Sequence, residues 1–202
     1  MMFLAFYNKE HVGDTLLLVR KETDEPVDFE RVDDVTRVFI KETNETVAYN
    51  IFNISEKMTL EGHGQVLLRD DQVVMLNELL SKYQWETITV DNTPKFVIGH
   101  VDTCVDHPDS DHLHVTTVSV GQDKPLQIVC GAPNVEVGQR VVVAKVGAVM
   151  PSGMIIWDGE LRGIASQGML CSARELQLPN APDKRGILVL DEGIVGQPFP
   201  LV

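Results

Sequence analysis

Ile128-Val129-Cys130-Gly131-Ala132-Pro133-Asn134-Val135, followed by Leu161-Arg162-Gly163-Ile164-Ala165-Ser166-Gln167-Gly168-Met169-Leu170-Cys171-Ser172, decides how this chain reads. Apolar, strand-like runs stop at small residues and Pro, leaving a few polar side chains at fixed offsets. The pattern describes the rim of a β-barrel that holds a ligand. Upstream, His107-Pro108-Asp109-Ser110-Asp111 breaks two further strand-like runs.

Around this stretch, runs at Phe96–Val105, Leu113–Val120, Pro125–Cys130, Arg140–Val146 and Gly186–Leu190 read as strands, separated at Gly121, Gly131-Ala132-Pro133, Gly138, Gly147 and Pro151-Ser152-Gly153. Five strands with long, irregular connections suit a small, partly open Greek-key barrel. Ser172-Ala173-Arg174-Glu175 is a capping box, so a short helix is expected from Ser172 to about Leu178.

Residues 1–90 form a different unit. Phe3 to Tyr7, Thr15 to Val19 and Val35 to Ile40 read as strands, and Thr43-Asn44-Glu45 turns the chain into Thr46 to Asn53. After a short run at Gln65 to Leu68 the period changes. Val73, Leu76, Leu80 and Tyr83 fall at helical spacing, with Asp70 or Asp71 expected as cap. The expectation is an antiparallel sheet with one helix, carrying no chemical motif. Trp85 to Val90 is read as one more strand, and Asp91-Asn92-Thr93-Pro94 as a polar linker to a second domain at 91–202. The fold class is mainly β with few helices: an α+β first domain, then a β-barrel.

Composition narrows the functions. Of 202 residues, 44% are hydrophobic and 23% charged, ordinary for a globular protein. No apolar run approaches the ~18 residues that span a bilayer, so no membrane association is expected. Met1 to Phe6 reads as a first strand rather than a signal peptide, because no basic segment precedes it. Cys104, Cys130 and Cys171 are an odd number, which argues against a disulfide framework and for a cytoplasmic location. Net charge is −13; residues 1–91 carry 9 Lys and Arg against 18 Asp and Glu, and residues 92–202 carry 8 against 12. A polyanion-binding site must therefore be a local cluster on a repelling surface.

Other chemistries find little support. Cys104, His107, Asp109, Asp111, His112 and His114 offer zinc-type ligands. Yet His112 and His114 alternate with Leu113 and Val115, as on the outer face of a strand, and His107-Pro108-Asp109 reads as a turn in which the Asp side chain bonds the backbone. No metal and no cofactor is expected. Cys130 and Cys171 lack a neighbouring base or cation, so they read as buried thiols. With no phosphate loop, dinucleotide fingerprint or nucleophile elbow, the chain is read as a non-enzyme.

From about Phe96 to Phe199 these motifs closely resemble the tRNA-binding OB-fold domain. That domain occurs at the N-terminus of the bacterial phenylalanyl-tRNA synthetase β chain, at the C-terminus of many methionyl-tRNA synthetases and in stand-alone tRNA-binding proteins. The first domain is similar to that of stand-alone bacterial proteins of the YtpR type. The resemblance implies tRNA as a partner and no catalysis, and puts Asn134, Ser166 and Met169 on the RNA face beside Lys145 and Arg162. Ser172, Arg174, His112 and Trp157 complete the candidate set. Core packing for Met169 and helix capping for Ser172 remain open alternatives. The resembled family has Lys where this chain has His112, which weakens phosphate attraction. An aminoacyl-tRNA synthetase and a second copy of the chain remain open as further partners. The rival reading is a protein-interaction module that kept the barrel and lost most RNA affinity. A third reading makes His107, His112 and His114 a hydrolase metal site.

Overall fold

Alternation along Thr46–Phe52, with Val47, Tyr49 and Ile51 buried and Ala48, Asn50 and Phe52 partly exposed, makes this strand the spine of a sheet. The computed structural model describes residues 2–201. They fall into two units, Met1–Thr93 and Pro94–Val202. Met1, at the start of the expected first strand, lies outside the described residues.

In unit 1, strands β1 (Leu4–Tyr7), β2 (Thr15–Val19), β3 (Val27–Val32), β4 (Val35–Ile40), β5 (Thr46–Phe52) and β6 (Gly64–Val66) form one sheet in the order β3-β4-β5-β2-β1-β6. Every neighbouring pair is antiparallel. Helix α1 (Asp70–Lys82) buries Leu76 and Leu80 in one cluster with Phe3, Leu18, Tyr49 and Ile51. Its cap differs from the expected Asp70 or Asp71. Arg69 holds the extended N-cap backbone and donates its N–H to Gln72 Oε1 at 2.9 Å. Asp70 and Asp71 instead lie in the first turn, where carboxylates favour the positive end of the helix.

Two further expectations change. Among the described residues, Trp85 to Val90 makes only a single bridge, Thr89 to Met2. The Asn77 side chain accepts from Ile88 N–H at 2.7 Å and donates to Ile88 O at 2.9 Å, taking groups that a neighbouring strand would use. Strand β3 is an addition. It lies at the sheet edge with all six residues exposed, so it shows no buried face in its sequence.

In unit 2, β7 (Phe96–Asp106), β8 (His114–Ser119), β9 (Leu126–Cys130), β10 (Arg140–Lys145) and β13 (Gly168–Leu170) run in the order β13-β10-β7-β8-β9. Strand β7 serves two neighbours. Its first part, Phe96 to His100, pairs with β10, and its second, His100 to Asp106, pairs with β8 across a register shift between Val101 and Thr103. A bulge bends a strand and so lets one long strand turn a barrel corner. Gly99 is required at that corner: a Cβ there would stand 2.6 Å from Val143 Cγ2 and 2.8 Å from Val118 Cγ1.

Closure comes from the chain between β12 (Ile164–Ser166) and β13. Gln167 N–H donates to Gln127 O at 2.8 Å, and Ser166 Oγ accepts from Val129 N–H at 3.1 Å while donating to Gly168 O at 3.2 Å. The sheet thus curls into a nearly closed five-stranded barrel, an OB-fold architecture. Strand β10 is buried on both faces. Val141 and Val143 join the barrel interior with Val101, Val118 and Ile128, while Val142 and Ala144 pack outside it with Ala148, Met150 and Cys171. Strands β11 (Gly159–Leu161) and β12 form a separate hairpin, and β14 (Val189–Leu190) is a two-residue partner of β10, shorter than expected.

The capping box at Ser172 forms, with Ser172 N–H to Glu175 Oε2 at 2.7 Å and Glu175 N–H to Ser172 Oγ at 3.2 Å, but no helix follows. Gln177 turns to φ 50 and Pro179 follows two residues later, so the segment ends as a turn.

Replacing Ser166 by Ala strips a buried partner from Val129 N–H. Urea denaturation of the full chain should show a loss of about 1–3 kcal/mol; an unchanged midpoint would contradict this closure.

Candidate nucleic-acid interface

A groove of about 820 Å³ opens on unit 2. The end of β9 and Gly131-Ala132 line it together with β13, whose residues are fixed by pairing with β10. Met154 to Trp157 and β11 supply further lining, as do Ser172, Arg174 and Glu175, and residues 184–187. Apolar contact is offered by Met154, Ile156, Trp157, Leu161 and Met169, with Trp157 half-buried.

Three cations, Arg174, Lys184 and Arg185, meet two carboxylates, Glu160 and Glu175, on this groove. The Glu175 carboxylate is held by Ser172 N–H. Arg174 Nη1 donates to Asp183 Oδ1 at 2.7 Å, but the two side chains are 62% and 96% exposed. Such an open pair contributes little, so a phosphate can compete for the guanidinium.

Of the residues singled out in the sequence, Trp157, Ser166, Met169, Ser172 and Arg174 line the groove; Asn134, Lys145, Arg162 and His112 are not among its lining residues. Asn134 braces the backbone instead. Its side chain donates to Ile187 O at 3.0 Å and accepts from Ile187 N–H at 2.9 Å, and Gly186 leaves it room, since a Cβ there would sit 2.6 Å from Asn134 Oδ1. Ser166 is likewise engaged in barrel closure. Half-buried Lys145 ends β10 opposite Gly168. Arg162 sits at the hairpin tip with φ 48, followed by Gly163 with φ 77, the paired positive values of a tight hairpin turn. His112 is exposed beside Asp111 and precedes β8, rather than lying in the strand as expected.

Lys184 and Arg185 were not singled out in the sequence. Their signal was two adjacent cations before Gly186 in an acidic chain, but the irregular segment after Pro179 gives no periodicity that would place them on the groove.

His107 also departs from expectation. The imidazole, not the Asp109 side chain, bonds the loop backbone: Nδ1 accepts from Asp109 N–H at 3.1 Å. Nε2 is then the donor, and it meets Leu161 O at 3.2 Å. His114 is partly buried, with Nε2 at 3.6 Å from Asp106, rather than displayed on an outer face.

Burial pushes the Cys130 thiol up and the Cys171 thiol up to about 12. Partial burial, then Asp106 and Glu136, also raises Cys104. None of the three has the lowered pKa of an activated nucleophile. Among the described residues no group of three or more His, Cys, Asp and Glu is placed to hold a metal ion, and no helix is long and apolar enough to cross a membrane.

Comparison with known proteins agrees with the barrel. Residues 96–197 match the family described as "Putative tRNA binding domain", and residues 22–91 match a domain of unknown function, DUF4479. Over 189 residues, 93% of this chain and 94% of the other, the chain is 53% identical to the "Putative tRNA-binding protein YtpR" of Bacillus subtilis (strain 168). It is 53% identical over 106 residues to the phenylalanine–tRNA ligase β subunit of Porphyromonas gingivalis, a match covering 50% of this chain and 13% of that subunit. A β subunit from Nitratidesulfovibrio vulgaris is 56% identical over 96 residues, 12% of its length. The fold is that of an OB-fold module, and the chain belongs to the tRNA-binding-domain family.

Alkylation at pH 8 should leave Cys130 and Cys171 unmodified in the native protein and label both after denaturation, as read by peptide mass spectrometry. Rapid native labelling of Cys171 would contradict its burial.

Proposed function

We propose that this protein binds tRNA without acting on it chemically, and that the groove of unit 2 is its RNA-facing site. The observation that carries the reading is the gathering of Arg174, Lys184 and Arg185 with Trp157 around one groove, in a chain whose net charge is −13. Family membership supports it, as does the name given to the Bacillus relative.

The mode of binding follows from the few aromatics. In unit 2 they are Phe96, Trp157 and Phe199. Phe96 and Phe199 pack against the outer cluster of the barrel, which leaves Trp157 to stack on a base. A single platform suits recognition of tRNA shape with one unstacked nucleotide, not the reading of a single-stranded sequence. A cytoplasmic location accords with this role. The matches to ligase β subunits make an aminoacyl-tRNA synthetase a candidate partner, with a second copy of the chain as the other.

A second reading, a protein-interaction module, draws on one observation. Strand β3 leaves a sheet edge unpaired and carries Phe29 at 67% exposure. A partner captured equally well with and without nuclease would favour it.

Titration of the full chain with bulk tRNA over a salt series tests the main reading. With three groove cations, log Kobs should fall with log salt at a slope of about −2 to −3. The double variant Lys184→Ala/Arg185→Ala should bind about tenfold more weakly and flatten that slope by about 1.5. Trp157→Ala should cost about 1–3 kcal/mol. Absence of binding at about 50 mM salt would overturn the proposal.

A further inference from the structure

The hairpin β11–β12 presents Gly159–Leu161 to the groove, yet it forms its own two-stranded sheet outside the barrel ladder. Its side chains give it little hold, since Gly159, Glu160, Leu161 and Arg162 are all exposed. An isolated two-stranded hairpin is marginal in water, so its position depends on what ties it down.

At its base the ties are barrel closure itself, with Gln127 Nε2 donating to Ala165 O at 2.8 Å. At its far end two bonds reach the 107–113 loop. Arg162 Nη1 donates to Asp109 O at 2.7 Å from an exposed side chain, where water competes. His107 Nε2 donates to Leu161 O from a residue only 3% exposed. Ring and backbone of His107 are each held. Asp109 N–H occupies Nδ1, and His107 N–H itself pairs with Leu113 O at 2.9 Å, where the loop closes between β7 and β8.

We infer that His107 is a positioning residue for the groove: without touching it, the imidazole fixes where the β11 side stands. This rests on the reading of the groove as the tRNA-facing site. A buried, oriented donor restrains a loop more strongly than an exposed one, because water competes with it less.

The test uses the full chain, bulk tRNA, and hydrogen exchange followed by mass spectrometry. His107→Ala should weaken tRNA binding about tenfold and speed exchange over residues 159–164, while β10 keeps its protection. His107→Gln supplies one acceptor and one donor and should recover part of both. Faster hairpin exchange with unchanged affinity would overturn the inference, as would weaker binding with unchanged hairpin exchange, or a Gln variant no better than Ala. Loss of β10 protection in both variants would also overturn it, by assigning His107 to the barrel's stability. Failure of the tRNA reading shows separately, as a wild-type chain that does not bind.

Discussion

A five-stranded sheet rolled into a barrel has two edges that must meet, and here they meet through one corner. Strand β9 faces the chain at Ser166-Gln167-Gly168, where Gln127 O takes the Gln167 N–H and Ser166 Oγ spans Val129 and Gly168. One main-chain bond and the Ser166 hydroxyl do the work of a ladder at this seam. Gly168 belongs to the same joint: it has φ 148, and a Cβ there would lie 2.8 Å from Ala144 O. The groove lies along the seam, lined by Val129, Ser166 and Gly168 among others. The β11–β12 hairpin leads directly into it. Fold and groove therefore share one set of hydrogen bonds.

Electrostatics sets the other constraint. With 17 basic against 30 acidic residues, the protein as a whole repels polyanions. At physiological salt the screening length is about 8 Å, so distant carboxylates weigh less on the groove than the cations that line it. On the proposed reading, Arg174, Lys184 and Arg185 would act on a phosphate at contact range, where screening is weakest. The same screening limits affinity, since few counterions are released when few phosphates are neutralised.

Sequence periodicity carried the elements whose burial is regular. Val141 to Ala144 reads as a continuous apolar run because β10 is covered on both faces, and Leu76 and Leu80 betray α1 because one helix face meets the sheet. Strand β3 was illegible: Asp28, Glu30 and Arg31 stand on an edge with no buried side. The box at Ser172 was visible, but the helix it announces is cut short by the backbone at Gln177 and Pro179. For the site, the residue types gave donors without their partners. Asn134 and Ser166 are polar residues at a rim, and the structure shows their side chains engaged with Ile187, Val129 and Gly168. Lys184 and Arg185 reach the groove only through the return of the chain after Pro179. His107 looked like part of a turn because its partner, Leu161, is 54 residues away.

Mapping backbone amide shifts by NMR as tRNA is added to the full chain addresses the central claim most directly. The account predicts the largest changes at Gly131 and Ala132, along residues 156–161 and 168–175, and at 184–187, with the β3–β4 hairpin of unit 1 unperturbed. Changes concentrated in unit 1, or on barrel strands away from the seam, would contradict it.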